Sequence, residues 1–142
     1  MKKIKCVIIV ILLLSIVFLA GCEEQGTTTE SNISNKIELQ SDLVKLVYAK
    51  LVPKTENEEI KNMNVEYLFK NIAGRTVSLK VNAEFYDEEN NLIYTSPSKP
   101  FVNILKDYVE TEISPFNIIS YDGENTNKID HVKIIAEEYF GT

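Results

Sequence analysis

Chemistry in this chain would have to come from one histidine, two cysteines, 21 acidic residues and seven tyrosines. A catalytic triad needs a nucleophile and an orienting acid beside the imidazole, and nothing in the sequence brings either to His131. Zinc normally takes three or four His, Cys or acidic ligands, so a single His argues against it. The run Asp87-Glu88-Glu89-Asn90-Asn91 offers oxygen ligands to Ca²⁺ but lacks the glycine and the distant glutamate of an EF-hand loop, and reads as a solvated hairpin turn. Asp122-Gly123-Glu124-Asn125 reads the same way. No spacing among the acids singles out a pair for glycoside cleavage. Gly74 and Gly123 are isolated, so no phosphate-cradling loop exists. No catalytic residue, metal site or cofactor is expected. Tyr86, Tyr94, Tyr108, Tyr121 and Tyr139 lie outside the clearest core rows and would suit a contact surface if two or three shared one face.

The two thiols, Cys6 and Cys22, belong to a different kind of chemistry. Lys2, Lys3 and Lys5 precede an apolar run from Cys6 to Ala20 broken only by Ser15. Charge followed by a short apolar stretch is the layout of a secretion signal. Ile4 to Ala20 would make about 25 Å of helix, marginal for a stable span of ~20 residues and ordinary for a signal core. The junction Leu19-Ala20-Gly21-Cys22 resembles the lipobox of bacterial-type lipoproteins. That resemblance implies recognition through Leu19, Ala20 and Gly21, cleavage after Gly21, and a diacylglyceryl group on the sulfur of Cys22. Two acyl chains hold where one is marginal, at roughly 0.8 kcal/mol per buried methylene. The alternative is an uncleaved signal anchor with Cys22 as an ordinary thiol. Once residues 1–21 are removed and Cys22 is lipidated, no thiol is left for a disulfide or thiolate metal site.

Composition sets the remaining bounds. The chain is 142 residues long, 44% hydrophobic and 25% charged, which is one domain's worth of globular sequence. Its formal charge is −6, and without the three signal lysines 12 basic residues face 21 acidic ones, a net −9. Such a surface argues against nucleic acid or anionic headgroups as ligands. Residues 22–36 carry Ile33 as their one large apolar side chain and read as a disordered tether. Asn32-Ile33-Ser34 fits a glycosylation sequon, a short pattern that often arises by chance.

The elements that would position any site come from two-residue alternation over residues 37–142. Met63, Val65, Tyr67 and Phe69 alternate with Asn64, Glu66, Leu68 and Lys70, and Val77, Leu79, Val81, Ala83 and Phe85 with mostly polar neighbours. Each run lays one apolar row on a core. Residues 71–75, with Gly74, have the length of a hairpin connection between them. A short strand, Leu92 to Thr95, should stop before Pro97 and Pro100. Tyr108 to Ser114 reads as a strand with Val109, Thr111 and Ile113 on one face. Asp122-Gly123 reads as a turn, and Ile129 to Tyr139 as the last strand, its inner row Val132, Ile134 and Ala136. Leu43 to Val52 fits either a helical stripe or a strand, with Pro53 ending either one; its Val, Leu and Tyr content favours the strand. Together these predict an all-β, antiparallel, immunoglobulin-like β-sandwich of six or seven strands, preceded by a signal helix and a tether.

Val65 to Asp87 resembles the FxLYD family of small immunoglobulin-like sandwiches from prokaryotic envelope proteins. The matching pieces are Lys70-Asn71, Val77 to Val81, Phe85-Tyr86-Asp87 and Leu92-Ile93. Ala83 and Phe85 stand where the family has Phe and Leu, Tyr67 where it has Gly, and Leu105-Lys106-Asp107 where it has a Pro-Gly turn. The resemblance implies the fold and an envelope setting, and carries over no catalytic residue. The expectation is a non-enzymatic module on the extracytoplasmic face of the cell membrane, anchored by lipid on Cys22 and contacting another envelope protein. The sheet edge at Leu92 to Thr95 could take an extended segment by strand addition. The rivals are an accessory lipoprotein that binds a small ligand for a transporter, and an enzyme acting on cell-wall polymers.

Overall fold

Two-residue alternation resolves into two layers of sheet. The computed structural model describes residues 32–140, which form eight strands and two short 3-10 turns. The strands are β1 (Ile37–Gln40), β2 (Val44–Glu56), β3 (Glu59–Asn71), β4 (Val77–Tyr86), β5 (Leu92–Thr95), β6 (Lys99–Ile104), β7 (Ile118–Tyr121) and β8 (His131–Glu138). One sheet runs β2-β3-β7; the other runs β1-β8-β4, with β5 and β6 both paired to β4. The result is a β-sandwich, with more strands than the six or seven expected. Leu19, Ala20, Gly21 and Cys22, with the rest of the signal and most of the expected tether, lie outside the described residues.

The core follows the inner rows. Met63, Val65, Tyr67 and Phe69 of β3 are buried against Val77, Leu79, Val81, Ala83 and Phe85 of β4 and Val132, Ile134 and Ala136 of β8. Aromatic rings lock the layers: Phe101 of β6 meets Phe69 of β3 edge-on at 5.2 Å, and Tyr121 of β7 stacks on Tyr94 of β5 at 4.7 Å. The other row of β3 is less exposed than its polarity suggests. Asn64 and Leu68 are buried as well, and the 3-10 turn Thr126–Lys128 packs against this strand.

β3 and β4 do not form the expected hairpin; they belong to different sheets. The buried Asn71 side chain sits at the crossover. Its Nδ2 donates to the carbonyls of Arg75, Ile104 and Leu105, and its Oδ1 accepts the N–H of Ala73. Those bonds tie the end of β3 to the loop before β4 and to the end of β6, and Gly74 at φ 73° takes the left-handed turn. The partner of β3 is instead β2, through the two-residue turn Asn57-Glu58, both at positive φ as a primed turn requires.

The segment expected over residues 43–52 is strand from Val44 onward, but Pro53 does not end it. β2 continues to Glu56 and pairs Pro53 with Met63. The backbone N–H and C=O of Ala49 point away from β3, bonding the carbonyl of Asn32 and the N–H of Ser34. Pro53, two alternations on, faces the same outer edge, where a missing N–H breaks no ladder bond. Pro100 likewise sits in a strand at a sheet edge, β6, opposite Lys80. The bonds at Ala49 also carry the paired backbone back to Asn32, ahead of the boundary expected at Ile37, with Ile33 packed on the core. β1 pairs with β8 in parallel, and Ile33 forms an isolated parallel bridge with Ala49, both departing from the antiparallel order of the other paired strands.

Tyr108 to Ser114 is not a regular strand. It makes a single bridge, Val109 to Lys70, and then leaves the sheet, so Val109 and Ile113 are exposed. The real edge strand is β7, beyond the 3-10 turn Pro115–Asn117. Its four residues are too few to show an alternation of their own.

Candidate functional site

The five tyrosines do not gather on one face. Tyr94 and Tyr121 pack with Phe85 at the rim of the core, at 5.9 and 6.1 Å from its ring. Tyr86 lies on the outer face of β4 and stacks on His131 of β8, the centroids 5.2 Å apart and the rings nearly parallel. Charges surround that pair: the Tyr86 hydroxyl donates to Glu84 on its own strand, and Lys133 of β8 stands 5.9 Å above its ring. The Glu84 hydrogen bond, before any other cause, pushes the Tyr86 phenol above its ordinary value. Nδ1 of His131 is 3.2 Å from Asp130, and Asp130 in turn pairs with Lys36. These contacts orient the imidazole without placing a nucleophile beside it, which describes a solvated sheet face with cross-strand pairs.

The acidic runs form turns. The Asp87 carboxylate accepts the N–H groups of Glu89 and Asn91 and the side-chain amide of Asn91, which lowers its pKa, and Asn90 takes positive φ. Asp122-Gly123 turns the chain out of β7, and the Tyr121 ring lies so close over Gly123 that a Cβ there would fall 2.1 Å from its hydroxyl. Among the described residues no group of three or more His, Cys, Asp or Glu could hold a metal ion, and no helix is long and apolar enough to cross a membrane.

Tyr108 belongs to a third surface. A cleft of about 330 Å³ is lined by Phe101, Val102, Ile104, Leu105, Tyr108 and Glu110, together with Asn103. Val102 and Leu105 are 64% and 63% exposed and Tyr108 is 49% exposed, so three large apolar side chains stand around one opening. The segment that carries them is held from below. Asn71 binds the carbonyls of Ile104 and Leu105, and the backbone N–H of Asn71 donates to Tyr108 at 2.9 Å. Asp107 at φ 61° makes the tight turn between them.

Glu110 is the half-buried acid of this cleft. Its Oε2 accepts the N–H of Phe69 at 3.0 Å and Nδ2 of Asn117 at 2.9 Å; Oε1 accepts the same amide at 2.9 Å. Burial outweighs these bonds and raises its pKa. Tyr67, hydrogen-bonded to the carbonyl of Phe116, is held far above its ordinary value by burial and then by the Glu110 charge. Sequence reasoning named Tyr108 as a contact candidate and missed the others. The two-residue period assigned Val109 and Ile113 to a buried row and gave no reason to look at Glu110. The one available signal was the apolar pair Val102 and Leu105, three residues apart across Asn103 and Ile104.

Comparison with known proteins identifies no matching family model, curated protein or solved structure. The class is therefore defined by the molecule itself: a β-sandwich bearing an apolar, acid-lined cleft at one sheet edge.

Proposed function

We propose that this protein is a lipid-anchored, extracytoplasmic β-sandwich module that contacts another protein of the cell envelope through the cleft between Phe101 and Glu110. The observation that carries the contact reading is the exposure of Val102, Leu105 and Tyr108 around one opening. Grouped apolar exposure on a small domain marks an interaction surface, whereas scattered exposed side chains do not. The anchor rests on Leu19-Ala20-Gly21-Cys22 behind a basic, then apolar, N-terminus. In this reading residues 1–21 are the signal, Cys22 carries the lipid, and the residues that follow form the tether. The Val65 to Asp87 resemblance supports kinship with FxLYD-type envelope domains. Confinement at a membrane raises the effective concentration of a neighbouring partner, so a small contact suffices.

A photo-crosslinking side chain at Leu105, in cells producing the full chain, tests the proposal. One defined membrane-protein adduct is expected from Leu105 and none from a control position at Glu88, in the turn after β4. Equal adducts from both positions, or none from either, would overturn the assignment of this surface.

A further inference from the structure

We infer that the occupant of the cleft is an extended segment of the partner protein that presents a lysine or arginine flanked by aliphatic side chains, its cation meeting Glu110. This rests on the contact reading of the same cleft and specifies its chemistry. Among the described residues several cations are engaged elsewhere: Arg75 pairs with Glu138, Lys80 with Glu137, Lys61 with Glu59 and Lys36 with Asp130, while Lys99 donates to the carbonyls of Pro115 and Ile118. No basic side chain among the described residues forms an ion pair with Glu110, whose bonds come from one amide and one backbone N–H. A half-buried carboxylate with neutral partners gains most from an incoming cation, because burial strengthens the attraction. The rim adds to the field: residues 105–112 carry Asp107, Glu110 and Glu112 against Lys106 alone. Val102, Leu105 and Tyr108 would cover the aliphatic stem and its neighbours, as long basic side chains prefer.

The test uses the full chain in neutral detergent micelles and two probes, the peptide Ac-Ser-Leu-Lys-Leu-Ser-NH2 and its counterpart with Gln for Lys. Binding is read from the amide NMR shifts of Leu105 and Tyr108. The lysine peptide should bind about tenfold tighter, the order expected of one charge-assisted hydrogen bond, with the advantage shrinking as salt rises. Glu110→Gln should abolish the preference, with the folded amide spectrum checked alongside: an amide oxygen in place of Oε2 still accepts from Phe69 and Asn117, while the amide nitrogen in place of Oε1 gives up the second contact with Asn117. Leu105→Ser, at an exposed position, should weaken both peptides alike. Equal affinity for the two peptides, or a lysine preference that survives Glu110→Gln, would overturn the inference while leaving the crosslinking result at Leu105 to stand separately. Displacement of the lysine peptide by an equal concentration of cadaverine would overturn the peptide as occupant in favour of a free diamine.

Discussion

Glu110 closes both open backbone groups of Phe69, one with its main chain and one with its side chain. The N–H of Glu110 donates to the Phe69 carbonyl at 3.0 Å, and the Glu110 carboxylate accepts the Phe69 N–H at 3.0 Å. Beyond Glu66, the last residue of β3 paired with β7, this edge of β3 has no neighbouring strand, and a carboxylate stands in for the missing strand carbonyl. The segment that does this also exposes the cleft, so the group that completes the sheet is the group that colours the contact surface.

That arrangement has a pH signature. Burial raises the Glu110 pKa above the ordinary value of 4.5, so the folded state holds this proton more tightly than the unfolded chain does. Its contribution to stability is fully present below that ordinary value and is lost as pH rises through the raised one. Urea unfolding of the wild type and Glu110→Gln across this acid range should show the wild type losing ground relative to the variant as pH increases. A constant difference between the two would contradict the raised pKa.

Asn71 should be costly to remove. Asn71→Ala strands the carbonyls of Ile104 and Leu105 and the N–H of Ala73 at a fully buried position. A loss of about 3 kcal/mol is expected from the unsatisfied groups, measured by chemical denaturation. A loss below about 0.5 kcal/mol would mean that this side chain does not hold the β3–β4 crossover.

Phe85→Ala tests the core register. The ring is fully buried between the sheets and touches Tyr94 and Tyr121. Truncation should cost roughly 3–5 kcal/mol, and a near-neutral result would place Phe85 outside the core.

Cys22→Ser tests the anchor. Metabolic labelling with a fatty acid should disappear and the signal should remain uncut, leaving a larger precursor on gels. Labelling that persists in the variant would remove Cys22 as the attachment point.

The inner rows of β3, β4 and β8 were legible because a strand shows alternate faces to core and water, and that rule is local. The acidic turn at Asp87 was legible too, since Asp and Asn side chains bond their own backbone. Pairing was not. Val77 to Phe85 would lay the same apolar row on a hairpin partner or on a crossed sheet, and the contacts that distinguish the two, such as Asn71 bonding a carbonyl 33 residues away, are long-range. Pro53 and Pro100 looked like strand breaks because their tolerance depends on which edge faces solvent, a property of the neighbours. Glu110 carried no sequence signal because its role is created by the gap along β3. Alternation, turn chemistry and the N-terminal charge-apolar-Cys22 order are short-range and could be read from the chain, whereas sheet membership, edge position and the burial of a charge depend on contacts between distant segments, and only folding determined them.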